Sequence, residues 1–138
     1  MTHVPTELRR EVIERAGNCC EYCRIQQDDY FFTFEIDHII AEKHRGKTTS
    51  DNLCLSCPDC NAYKGSDIAS LDPETNELTM LFHPRKHNWS DHFKLNGVRI
   101  EPLTAVGRVT EFLLRFNMIE RVIDRELFGS VGHYPCNS

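Results

Sequence analysis

The sequence predicts an α+β fold: a small strand-and-helix unit stapled by cysteines, with one helix ahead of it and a hairpin plus two helices behind it. Three observations carry this. Cys20-x-x-Cys23 and Cys57-x-x-Cys60 are two CxxC pairs joined by a long loop, the spacing of a four-thiolate metal clip. Between them the run YFFTFEIDHII over 30–40 is aromatic and β-branched and reads as a strand. Beyond them, residues 103–127 repeat apolar side chains at helical spacing. A chain of 138 residues fits one domain, 1–138, with a clipped core over 17–66 and an extension over 67–138. A unit the size of that core buries too little apolar surface to stand without a staple such as a metal.

Each element follows from local chemistry. Residues 7–16 read as a helix that Thr6 caps, with Glu7 in its first turn, Leu8, Val12 and Ile13 on one face, and Gly17 as a left-handed stop. In the strand, Phe32, Phe34, Ile36 and His38 share one parity, which sends the neighbouring Asp37 to the other face. If Asp37 and His38 serve one site, the strand must end or bulge there. The stretch 41–50 is a polar loop around Gly46 with room for a second short strand. Pro58 suits an early helical position and Gly65 a stop, so 58–64 reads as a short helix.

Further on, LDPETNEL is a turn, 78–82 a short strand, 83–93 a loop, and FKLNGVRIE a hairpin around Asn96-Gly97. Two helices close the chain. Leu103, Val106, Val109, Phe112, Leu113 and Phe116 form the stripe of the first, and Ile119, Val122, Ile123 and Leu127 that of the second, ended by Gly129. Such stripes are core or partner-facing surface, and a homodimer through them is one reading.

Composition narrows the function. A hydrophobic share of 40% with 27% charged residues fits a water-soluble globular protein, and no apolar run approaches the length of a membrane span. An odd count of seven cysteines, with CxxC spacing and no secretory leader, favours reduced thiols and a cytoplasmic protein, with Cys136 a free thiol. The net charge of −5 speaks against bulk DNA binding, but Lys43, His44, Arg45 and Lys47 make one basic cluster and Arg85, Lys86 and His87 another. Solvated loops would look the same.

Four thiolates suit Zn²⁺ in a closed tetrahedral site that stabilises a fold and performs no chemistry. Redox pairs or buried free thiols are the competing readings; a redox pair needs a βαβ context that is absent here. Cys54-x-x-Cys57 is also a CxxC, so spacing leaves the second pair ambiguous. Cys57 with Cys60 is preferred because the helix at 58–64 would fix that knuckle. Asp37 and Asn61 can each give an oxygen to a hard cation such as Mg²⁺ or Mn²⁺, and His38 can take a proton from water near neutral pH. Without the clip, an Asp-His pair would read as a core hydrogen bond.

The order Cys20-x-Tyr22-Cys23, Ile36-Asp37-His38-Ile39, Asp51-Asn52-Leu53 and Cys57-x-x-Cys60-Asn61-x-x-Lys64-Gly65 resembles the HNH endonuclease family. The resemblance implies a ββα-metal (His-Me finger) core and a metal-dependent DNA endonuclease that leaves 3′-hydroxyl and 5′-phosphate ends. It implies His38 as general base, Asp37 and Asn61 as ligands of one catalytic Mg²⁺ or Mn²⁺, Asn52 as the residue that fixes the loop behind His38, and Lys64 as a phosphate contact. Lys43, His44, Arg45 and Lys47 would also meet DNA. Ala41 departs from the pattern, which has proline there. Residues 72–93 resemble an extension seen in one bacterial subgroup of the family. His83, His87 and His92 read as packing or DNA contacts more readily than as a second metal site. The alternative function is a non-catalytic zinc module that binds nucleic acid or protein. Target specificity, supplied by a partner or otherwise, is not legible in the sequence.

Overall fold

The computed structural model describes residues 3–29 and 33–136. Helix α1 spans Thr6–Ala16; its N-cap is Pro5, so Thr6 is the first helical residue and caps nothing. Gly17 ends it at φ 62° as expected. The buried Val12 and Ala16 face the core, and Arg15 donates to the Leu53 carbonyl at 2.9 Å, which ties α1 to the next strands.

Strand β1 (Glu35–His38) pairs antiparallel with β2 (Leu53–Ser56), with Asp37 opposite Cys54 and His38 opposite Leu53. The expected strand over 30–40 is therefore short, and Tyr30, Phe31 and Phe32 lie outside the described residues. The ladder has no bulge and ends at His38, one of the two irregularities that a site shared by Asp37 and His38 would require. Residues 41–50 hold no strand: two short 3₁₀ turns, Glu42–His44 and Ser50–Asn52, fold this loop, and the second strand comes only after it. Ala41 takes φ −61°, the value that a proline ring would lock, so its departure from the family pattern leaves the backbone path intact.

Helix α2 (Pro58–Lys64) follows β2 directly, with Pro58 in its first turn and the Cys57 sulfur accepting from the Cys60 amide. β1, β2 and α2 thus form the ββα unit. Two more ribbons follow: β3 (Ala69–Leu71) with β4 (Leu78–Met80), and β5 (Phe93–Asn96) with β6 (Arg99–Pro102). The loop expected at Asn96-Gly97 is shifted by one residue: Asn96 pairs with Arg99, and Gly97-Val98 make the two-residue turn, with Gly97 at φ 61°. A single helical turn, α3 (Trp89–His92), lies in the stretch expected to be loop.

Helices α4 (Ala105–Leu113) and α5 (Ile119–Ser130) close the chain. Their stripes turn inward only in part. Val109, Phe116 and Val122 are buried, whereas Phe112, Ile119, Ile123 and Leu127 are more than half exposed. The inward face of α5 is built around Arg121 and Arg125, whose guanidiniums bond the buried carbonyls of Leu114 and Phe116 and the half-buried carbonyl of Val98. α5 also passes Gly129 and ends at Ser130.

One core runs from Val12 through Tyr22, Leu53 and Leu55 to Phe82, Phe93, Ile100 and Phe116, so the extension and the clipped unit pack as one body. Cys136 is not a free thiol: it forms a disulfide with Cys19, 117 residues away, which fixes the tail against the first knuckle. The Tyr134 hydroxyl donates to the Cys23 carbonyl at 2.7 Å on the same seam. Among the described residues no helix is long and apolar enough to cross a membrane.

Candidate active site

The clip is assembled by the two knuckles. Cys20, Cys23, Cys57 and Cys60 are fully buried, and their sulfurs all lie within 4.8 Å of one another. Zn–S bonds of about 2.3 Å would set tetrahedral S···S edges of about 3.8 Å; Cys23 and Cys57 stand at 3.7 Å. Backbone amides of Cys23 and Cys60 point at the sulfurs of Cys20 and Cys57, at 3.5 and 3.4 Å. The donor set is therefore compatible with a structural zinc.

Electrostatics agree with that. The Cys23 thiol is drawn well below its usual range, first by its bond to Cys20, while the Cys20 and Cys23 sulfurs and burial hold Cys57 up. Crowded thiols without an ion cannot all ionise together, and a dication removes that conflict. Arg121 donates to Cys60 Sγ at 3.1 Å and approaches Cys57 Sγ at 3.8 Å. Burial opposes its charge, but the three sulfurs of Cys60, Cys23 and Cys57 outweigh burial and hold the guanidinium more firmly protonated than usual. Arg121 was missed in the sequence because it sits inside an apolar stripe; the signal was a second arginine, Arg125, four residues on along the same helical face.

Cys54 lies outside the cluster. Its place opposite Asp37 turns it toward the Tyr22 hydroxyl, at 3.6 Å, and toward Asp37 Oδ2, at 4.0 Å. Burial, then the Asp37 charge, push its thiol well above the usual range, so it stays neutral.

The second set of groups lies where β1 meets α2. Asp37 is 8% exposed, and its Oδ2 takes the Lys64 ammonium at 3.1 Å and the Tyr22 hydroxyl at 3.4 Å. Burial pushes the carboxyl up, and the Lys64 cation pulls it back. The ion pair and side-chain hydrogen bonds of this carboxylate with the described residues fall on Oδ2, which leaves Oδ1 free of them. Lys64 is 2% exposed and also donates to the His38 carbonyl at 3.2 Å. The expected phosphate contact is thus replaced by an inward brace between α2 and β1. Asn61 lies three residues before Lys64 and so on the same face of α2; it is half-buried.

His38 is at the end of the ladder, with Nε2 2.9 Å from Thr48 Oγ1 and 4.0 Å from Glu42 Oε1. Asn52 closes the loop behind it: its Oδ1 accepts from Ile40 N–H, and its Nδ2 donates to the carbonyls of Ile40 and Lys47, each at 2.9 Å. Lys43, His44, Arg45 and Lys47 are all exposed on this loop. In the second basic cluster Arg85 is spent on an ion pair with Glu21. His83, His87 and His92 make no metal cluster among the described residues, where the four cysteines alone satisfy that geometry. Residues 83–89 instead grip the first knuckle, through Arg85–Glu21 and through Trp89 Nε1 donating to the Tyr22 carbonyl at 2.7 Å.

Comparison with known proteins gives two similarities. Residues 20–67 match the sequence model of the family described as HNH endonuclease. The chain is 23% identical over 126 residues to the Septu protein PtuB of Bacillus thuringiensis, a match covering 89% of this chain and 46% of that protein, so the chain spans about half the length of this relative. No solved structure matches.

Proposed function

We propose that this chain, whose residues 20–67 are an HNH endonuclease domain, is a metal-dependent endonuclease that hydrolyses phosphodiester bonds in DNA. The observation that supports the reading lies inside the matched segment: Lys64 of α2 bridges Asp37 Oδ2 and the His38 carbonyl at the end of β1, and Asn61 lies three residues before it on that helix.

Asp37 Oδ1 and the Asn61 amide oxygen are the groups that would hold a divalent cation, and two hard oxygens suit Mg²⁺ or Mn²⁺. Such a cation would supply charge neutralisation at the scissile phosphate and at the leaving oxygen. Lys64 and Tyr22 occupy Oδ2 and so fix the direction in which Oδ1 is presented. His38 Nε2 lies 2.9 Å from Thr48 Oγ1; in the tautomer that donates there, the lone pair is on Nδ1, the nitrogen that would take the proton of the attacking water. The new bond joins the water oxygen to phosphorus as the bond from phosphorus to the 3′ oxygen breaks; the leaving 3′ oxyanion takes a proton from solvent, giving 3′-hydroxyl and 5′-phosphate ends. Asn52 keeps the loop closed behind the base and touches no reacting atom. The exposed Lys43, His44, Arg45 and Lys47 would track the DNA backbone without reading bases. Cys20, Cys23, Cys57 and Cys60 would hold a zinc ion that ties the two knuckles, and through them β1 and α2, in place.

The exposed apolar stripe Ile119, Ile123 and Leu127 supports a protein contact, either a second copy or a partner that supplies specificity. Plasmid nicking by zinc-loaded protein, with and without Mg²⁺ or Mn²⁺, tests the catalytic reading. Metal-dependent nicking should be lost in a folded His38→Ala variant. No nicking with either metal, from folded protein, would favour the non-catalytic zinc module.

A further inference from the structure

We propose that an unpaired nucleobase of the substrate strand seats in an apolar cavity beside His38, a site that rests on the nuclease reading above and names the DNA feature it prefers. The cavity measures about 190 Å³ and is walled by Ile39, Ile40, Ile68, Met80 and Phe82. Pockets for drug-sized ligands run to about 300–1,000 Å³, so this one admits a single planar ring system and no more.

Its position links it to the cleavage site. Ile39 directly follows His38, and Lys64, which braces Asp37 and the His38 carbonyl, is also part of the wall. A base in the cavity would therefore rest against Lys64, the same side chain that braces Asp37 and the His38 carbonyl.

The rim suits a nucleotide. The Arg85 amide donates to His83 Nδ1 at 3.2 Å, and the His83 amide donates to His87 Nδ1 at 2.9 Å. Each ring thus holds its neutral-state proton on Nε2 and offers one N–H donor to acceptors on a base edge. Burial lowers the pKa of both histidines, which keeps them in that neutral form. Lys86 on the rim can meet a phosphate, and Asp67 can accept from an exocyclic amine. Apolar walls take the faces of any base, while the exposed basic loop at 43–47 holds its backbone. A paired base is kept out by its complement; an unpaired one costs little to extrude.

The test is a titration of two DNA duplexes of equal length at one fixed salt concentration, in Mg²⁺-free buffer. One is fully paired; the other carries a single unpaired 2-aminopurine whose fluorescence reports its surroundings. Wild-type protein should bind the bulged duplex about tenfold more tightly, with a change in 2-aminopurine emission. Met80 is half exposed, so Met80→Trp can fill the cavity mouth without disturbing the core. It should cut the preference to about twofold or less and leave affinity for the paired duplex unchanged. Equal binding of the two duplexes by wild type, or a preference that survives in Met80→Trp, overturns the base site alone if the paired duplex is still nicked in Mg²⁺. Failure to bind either duplex overturns the nuclease reading along with it.

Discussion

Single side chains decide the shape of the loop that carries His38. Gly46 is one of them: a Cβ there would lie 1.7 Å from the Ile40 carbonyl oxygen and 2.9 Å from Asn52 Nδ2. Both atoms belong to the Asn52 clasp, so Gly46→Ala must push the clasp open. We expect nicking to fall at least about tenfold while the zinc content stays at one per chain, as measured by metal analysis beside the nicking assay. Thr48 touches His38, the proposed base, directly. Thr48→Val removes the partner of His38 Nε2 and should lower the rate by about tenfold with a shifted pH–rate profile; an unchanged profile would remove Thr48 as the group that sets the tautomer. The candidates Asp37, His38 and Asn52 stand out in the chain because they lie in short local motifs. Tyr22, Thr48 and the inward turn of Lys64 could not, because each acts across a fold-dependent contact.

Among the elements, the two knuckles meet inside the common core, where the Glu21 amide donates to the Leu55 carbonyl at 2.9 Å, and the four sulfurs gathered there would share one ion. Cys57→Ser should lower the melting temperature of the whole protein and release zinc, since a metal that binds only the folded form contributes its binding energy to folding. A normal melting curve would contradict the structural role. Helix α4 is held to the β3–β4 turn by a different device: Arg108 grips both oxygens of the buried Asp72, at 2.8 and 2.9 Å. That fork, and the Thr75 and Glu74 donors, keep the Asp72 carboxyl well below the usual carboxylate range. Its folded-state pKa is depressed, so its contribution to stability is complete above the unfolded-state value of about 3.9 and is lost as pH falls toward the folded value. Asp72→Asn should therefore be less stable than wild type at pH 7, and the gap in melting temperature should shrink below about pH 4. A gap independent of pH would assign the loss to packing.

On the scale of the whole molecule, the Cys19–Cys136 disulfide overturns the reading of Cys136 as a free thiol. The disulfide closes nearly the full chain, and links of that kind typically contribute about 2–4 kcal/mol. Cys136→Ser should lower stability by that order in oxidising buffer and change nothing under reductant, as read by denaturant unfolding. The stripe Ile119, Ile123 and Leu127 was read as core or partner surface, and it lies on the surface. If it pairs two copies, sedimentation should show a dimer that Ile123→Glu dissociates; a monomeric wild type leaves the partner reading.

The sequence by itself determined the clip, the ββα order and the catalytic candidates, because CxxC spacing, strand composition and helix punctuation act within a few residues of one another. Only the tertiary structure decided that Cys54 faces Asp37, that Lys64 turns inward, that α5 packs through its arginines and that Cys19 finds Cys136. Those outcomes depend on which faces meet once the chain has closed on itself. Burial then sets the balance: a lysine or arginine placed beside a buried carboxylate, thiolate or carbonyl is more stable inside than its polarity alone would predict.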